Sequence, residues 1–139
     1  MNDLSARRDE LLGELALFPD DQARLEYLIE RVREKPALPA EFHIDAFRVE
    51  GCMSNLWIVP EFRDGRCFFR YEADSLVVKS IAGLLCDFYS DVAPEEILAL
   101  SPEFLREAGI AQHLSSNRRN ALTRVWGLIR GFAERHRTV

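Results

Sequence analysis

With 139 residues, 47% of them hydrophobic and 29% charged, the chain has the make-up of one soluble globular domain over residues 1–139. That size suffices to bury roughly two-thirds of the unfolded surface. No apolar run approaches the roughly 20 residues a bilayer span requires, and acidic residues break up the apolar N-terminal positions, unlike a secretory signal. The net charge of −5 is uneven: six arginines face one glutamate from Arg118 onward, against twelve basic and twenty-two acidic residues before it. A basic closing segment reads either as a solvated helix face or as a surface for an anionic or acidic partner.

Taken in chain order, Leu4, Leu11, Leu12 and Leu15 keep near-helical spacing until Phe18-Pro19 interrupts them. Asp20 or Asp21 then caps a second helix, with Leu25, Leu28, Ile29 and Val32 on one face and Pro36 and Pro39 ending it. The two form a helical hairpin packed on one side of a sheet. Three extended runs supply that sheet: Phe42 to Val49, Leu56 to Phe62, and Cys67 to Ala73. Asp64-Gly65 provides the positive-φ pair of a tight turn between the last two, and Pro60 marks a bulge or an edge. On the third run Cys67, Phe69 and Tyr71 share one face, and Arg66, Phe68, Arg70 and Glu72 the other.

Asp74-Ser75 caps a helix from Leu76 to Tyr89 that is apolar almost all round, and therefore central. Pro94 opens a short helix, Ser101-Pro102 another that stops at Gly109, and Ser115 or Ser116 a long one. That last helix carries Leu122, Val125, Trp126, Ile129 and Phe132 along one stripe, which makes Trp126 a packing residue. The expected fold is α+β: a small antiparallel sheet of about three strands, covered by the N-terminal hairpin and the C-terminal helices.

Several kinds of chemistry lack support. The cysteines form no CxxC pair, and His43, His113 and His136 have no metal-ligand spacing. There is no glycine-rich phosphate loop. An odd cysteine count, at 52, 67 and 86, makes no disulfide framework and points to a reducing, cytoplasmic setting. Cys86 lies in the apolar helix and Cys67 on the strand face with Phe69 and Tyr71, so both read as inert core. Cys52 differs, since it follows Gly51 in the polar connection between two strand-like runs, with Ser54-Asn55 beyond. The residues alone leave two readings open: a small side chain packed under a turn, or a thiol placed to react. A hydrolytic pairing of Cys52 with His43 is a further possibility, without the flanking signature of known cysteine proteases.

The stretch VEGCMSNLWIV, from Val49 to Val59, resembles the V-x-G-C-x-S-x-V/L-W signature of the SufE family, sulfur-accepting partners of cysteine desulfurases. LEYLIERVREKPALP, DSLVVKSIAGLL, APEEIL and GIAQHLSSNRRNAL are similar, in the same order, to further segments of that family. The resemblance implies a SufE-like fold and a persulfide carried on Cys52. Gly51, Ser54 and Trp57 match the rest of the loop motif. Asp74 matches the aspartate at the following helix start, Lys79 the basic residue of that helix, and Arg118 the arginine of the last segment. Each of these three reads either as a helix cap or surface ion pair or as a partner-docking residue. Ser80 and Ala121 stand where the family commonly has glycine, with Met53 and Leu56 as milder departures.

The function so implied is acceptance of sulfur from a SufS-like cysteine desulfurase, stimulation of that enzyme, and delivery to a SufBCD-like iron–sulfur scaffold. The protein would have no independent turnover. No metal or cofactor is implied on this chain, because the pyridoxal phosphate belongs to the desulfurase. Neither nucleic acid nor membrane is an expected partner, and the expected state is monomer or homodimer. The alternatives are a sister sulfur relay outside iron–sulfur assembly, and, in a different class, a nucleic-acid or acidic-partner module using the basic last helix.

Overall fold

The computed structural model describes residues 3–52, 54–107 and 115–137. Met53, Gly109 and His113 lie outside them, and with them the expected stop at Gly109. Helix α1 spans Asp3–Leu15 and α2 Asp21–Arg33, joined as the expected hairpin. Asp20 caps α2 by accepting the Ala23 N–H at 2.8 Å. Arg24 reaches back to the carbonyls of Leu15 and Phe18, tying the start of α2 to the turn that follows α1. Tyr27 donates to Glu14 at 2.7 Å and its ring lies 4.7 Å from that of Phe18, which fixes the angle between the helices.

Two antiparallel strands follow, β1 over Leu56–Arg63 and β2 over Arg66–Ala73. Asp64 at φ 55° and Gly65 at φ 77° make the tight turn read from their sequence. Pairing runs unbroken from Leu56↔Ala73 to Arg63↔Arg66, so Pro60 makes no bulge. Its tolerance follows from register. Opposite Pro60, the N–H and carbonyl of Phe69 both bond the Ser90 hydroxyl, away from β1. Pro60 thus occupies a non-hydrogen-bonded pair, where its missing donor would not have faced β2. Leu56, Ile58, Cys67, Phe69 and Tyr71 are buried, as the alternation on β2 anticipates.

The expected third strand, Phe42 to Val49, does not form. Its residues make two 3-10 turns, Ala40–Phe42 and Asp45–Phe47, and pair with β1 only through an isolated bridge between Arg48 and Trp57. The run is rich in apolar residues but does not alternate inside and outside: Ile44 is 47% exposed while its neighbours are half-buried or exposed. Phe42 and Phe47 instead pack on each other, ring centroids 6.1 Å apart. A strand paired on one side gains little without a buried face.

Helix α3, Leu76–Phe88, is capped by Ser75 and lies at the centre, packed by α2, β2 and the last helix. Gly83 marks its closest approach. A Cβ there would lie 2.6 Å from Val32 Cγ1 and 2.7 Å from the Tyr71 hydroxyl, which is itself bonded to Asp87 at 2.7 Å. Short helices α4, Pro94–Ala99, and α5, Glu103–Glu107, close one end, where the Tyr89 hydroxyl donates to the Leu100 carbonyl. Helix α6, Ser116–His136, lays Ala121, Val125, Ile129 and Phe132 into the core, while Trp126 packs on Tyr89 at its margin. Cys86 is fully enclosed in the same core.

Lys79 faces inward from α3 and pairs with Glu72 of β2 at 3.0 Å, their side chains only 9% and 14% exposed. Burial alone would raise the Glu72 pKa, but hydrogen bonds from Lys79 and from the Ala73 and Leu38 N–H groups outweigh it and hold the carboxyl below its ordinary value. A depressed folded-state pKa stabilises the fold above the ordinary carboxylate range, and that contribution is lost as pH falls through the folded pKa. Glu72→Gln leaves Lys79 buried without its counter-charge, an expected loss on the order of 3 kcal/mol at neutral pH. Urea titration of both proteins at neutral and acid pH checks it, the gap narrowing in acid.

Candidate functional site

Between Arg48 and Trp57 the chain leaves the sheet and returns as a compact loop. Val49 donates to the Leu56 carbonyl at 2.7 Å and closes its base. Arg48 donates to Asn55 Oδ1 at 3.0 Å, and Asn55 Nδ2 donates to Asp74 at 2.7 Å. The Asp74 N–H returns to the Asn55 carbonyl, so the loop's exit is tied to the junction of β2 and α3. Gly51, at φ 85°, turns the tip toward α6. There Asn120 donates to the Gly51 carbonyl at 2.6 Å, and the Arg124 guanidinium lies against the Gly51 Cα.

The turn at Gly51 places Cys52 half-buried against the core, beside a half-open groove of roughly 380 Å³. Cys52 and Ser54 form one wall. The start of α3 contributes Ser75, Val77 and Val78, and the start of α6 contributes Ser115, Asn117, Arg118 and Ala121. The two serines cap their helices, accepting from Val78 N and Arg118 N. Burial pushes the Cys52 thiol above its ordinary pKa, and Arg124 and Arg48 pull it partly back. At neutral pH the resting side chain is therefore a protonated, weakly nucleophilic thiol. Burial raises Cys67 to about 11 and pushes Cys86 well above its ordinary value.

Of the residues singled out from sequence, Cys52, Ser54 and Arg118 meet in the groove, with Gly51 behind Cys52. Asp74 stands below them, holding the loop through Asn55. Trp57 lies elsewhere, stacked on His43 at 4.4 Å, and the His43 ring contacts the Leu38 carbonyl at 3.1 Å. His43 is thus engaged away from the groove. Lys79 borders a separate, largely apolar cavity of roughly 410 Å³ with Leu38 and Tyr71. The two departures from the family pattern are accommodated: Ser80 donates to the Val77 carbonyl within α3, and Ala121 is buried at the groove floor. Among the described residues, no group of three or more His, Cys, Asp or Glu is placed to hold a metal, and no helix is long and apolar enough to cross a membrane.

Sequence reasoning passed over Arg124, Asn120 and Arg48. Arg124 and Asn120 are one turn apart on α6, but nothing local shows that this face meets a loop some 70 residues earlier.

The fold and site define a class: a helix-covered β-hairpin presenting one half-buried loop thiol beside a groove. A model of the SufE family, described as an Fe-S metabolism associated domain, matches residues 9–133, and the chain belongs to that family. It is 26% identical to an uncharacterised SufE-like protein of Synechocystis over 110 residues, 79% of this chain and 69% of that protein. It is 28% identical to the cysteine desulfuration protein SufE of Plasmodium vivax over 122 residues, 85% of this chain but 48% of the larger relative. The fold matches the solution structure of a hypothetical protein from Thermus thermophilus with a TM-score of 0.74 and 20% identity, covering 94% of this chain and 95% of the other.

Two outcomes follow from the site's geometry. Alkylation of the native protein across neutral to alkaline pH should label Cys52 first, with a midpoint above the roughly 8.5 of a free thiol that drops back on unfolding. Gly51→Ala forces a Cβ into the left-handed region and to 2.8 Å from Arg124 Nε. It should cost about 1–2 kcal/mol and speed Cys52 alkylation by loosening the tip, read by urea titration and labelling rate.

Proposed function

We propose that this protein is a sulfur acceptor, taking sulfur from a cysteine desulfurase onto Cys52 and handing it to an iron–sulfur assembly scaffold. The observation that carries this reading is one half-buried thiol, at the tip of a loop with a glycine turn, beside a groove able to take a sulfur atom. Family membership supports it, as does the desulfuration role in the name of the Plasmodium relative. The buried Cys67 and Cys86 have no such access.

The chemistry is an exchange without net redox change. Cys52, once deprotonated, attacks the terminal sulfur of a donor R–S–SH. A new bond forms between Cys52 Sγ and that sulfur, the donor's S–S bond breaks, and the donor leaves as a thiol after taking up the displaced proton. The acceptor turns over no substrate of its own; it clears the donor for the next cycle. Cofactor chemistry, through pyridoxal phosphate, resides on the desulfurase.

Burial shapes how this proceeds. A tucked, protonated Cys52 resists stray electrophiles, and docking must draw the loop outward, which lifts the desolvation that suppresses the thiolate. Gly51 offers a turn of low conformational cost for that motion.

Cys52→Ser should abolish stimulation of a cognate desulfurase while leaving the circular dichroism spectrum unchanged. With desulfurase and cysteine, mass spectrometry should find a gain of about 32 Da on Cys52 that dithiothreitol removes, whereas a sulfinic acid of similar mass resists reduction. Stimulation surviving the substitution, or sulfur found on Cys67 or Cys86, would overturn the assignment.

A further inference from the structure

We propose that Asn120 and Arg124, one turn apart on α6, form a two-point clip on the Gly51–Cys52 segment, and that the clip grips the sulfur-loaded loop more tightly than the empty one, a device that presupposes the sulfur-acceptor role above. The first point is neutral: Asn120 Nδ2 donates to the Gly51 carbonyl at 2.6 Å. The second is charged: a Cβ on Gly51 would lie 2.8, 2.9 and 3.0 Å from Arg124 Nε, Cζ and Nη2, so the guanidinium rests directly on the loop. Glycine at 51 is needed twice over, for its φ of 85° and for this approach.

Among the described residues, the charges that act on Cys52 are of one sign. Arg124 acts from α6 and Arg48 from the loop's entry, and Arg118 lines the groove wall. The start of α3 adds Ser75, Val77 and Val78, which carry no charge. Of the nearby carboxylates, Asp74 is occupied by Asn55, and Glu50 is exposed to solvent. Among the described residues, no carboxylate forms a salt bridge with Arg124, which leaves its charge available to an anion at position 52.

Loading supplies that anion. The empty thiol is neutral at neutral pH because burial disfavours its ionised form. A hydropersulfide is a stronger acid than the corresponding thiol, since the adjacent sulfur stabilises the terminal charge. The Cys52–S–SH formed by the exchange above therefore loses its proton to water and becomes Cys52–S–S⁻ beside Arg124. An opposite charge nearby favours the ionised form, and the same interaction holds the loop down. Asn120 holds the backbone whatever the side chain carries; Arg124 responds to the cargo. A receiving protein must break both contacts to reach the sulfur.

The test uses the full chain, loaded at Cys52 with sodium polysulfide so that no desulfurase is needed, and a mass check for one added sulfur. Hydrogen exchange of the amides at residues 50–52 is compared between empty and loaded protein. In the wild type, loading should slow exchange several-fold at neutral pH, with the difference vanishing in acid where the hydropersulfide is protonated. Arg124→Gln should erase the difference and Arg124→Lys restore it. Asn120→Ala should speed exchange in both forms and keep their ratio. Arg124 is exposed, so its replacement leaves the core intact. Equal exchange in empty and loaded wild type, or slowing that survives Arg124→Gln, would overturn the clip. If polysulfide loads Cys52 and the loop tightens but a desulfurase transfers nothing, the acceptor reading fails, while the charge-dependent grip of Arg124 on the loop is upheld as a property of the fold.

Discussion

The burial of α3 between α2, β2 and α6 is the constraint on which the remaining geometry rests. A two-stranded hairpin has too little apolar contact to hold itself together in water, so it persists only because a helix covers its face. Gly83 lets α3 settle against both Val32 and Tyr71, and Ile81, Ala82 and Leu85 are fully enclosed around it. Once α3 is seated, its capped start at Ser75 and the start of α6 lie at the same end of the molecule, where they form the groove beside Cys52. The site is thus a product of helix packing, although its central atom belongs to a loop.

That loop balances two opposed effects. Tucking Cys52 against the core removes it from water and raises its pKa; the arginines of α6 and of the loop entry work in the other direction. Desolvation is the larger effect in the resting state, which is what the proposed carrier role calls for in a thiol awaiting its partner. The same arginines become more important once position 52 carries a charge. Their arrangement costs the fold little, because the guanidinium of Arg124 stays in contact with solvent.

Most of the architecture could be read from local rules. Asp20, Ser75 and Ser115 cap the helices that follow them, Asp64-Gly65 turns the hairpin, and the inside-outside alternation of Cys67 to Tyr71 matches the burial observed. The failure at Phe42 to Val49 has a definite cause: aromatic content resembles strand content, but without alternation no face is available to bury, and the segment satisfies its aromatics locally in two 3-10 turns. Pro60 was legible as an edge residue, while its exact harmlessness depended on the parity of pairing with Phe69, which composition does not reveal.

What the sequence by itself determined was the helices and the β-hairpin in their order, the family resemblance, and the setting of Cys52 in a loop apart from the core positions of Cys67 and Cys86. Each of those depends on neighbours close in the chain, where period, capping chemistry and a contiguous motif act. Only the tertiary structure decided which charges surround the thiol: Arg118 lines the groove and Arg124 lies against Gly51, while Trp57 and Lys79 serve other contacts. The physical reason is that electrostatic and hydrogen-bond partners act through space. The contact of Gly51 with Asn120 and Arg124 joins residues about 70 positions apart, and it exists only because α3 and the hairpin hold both in place.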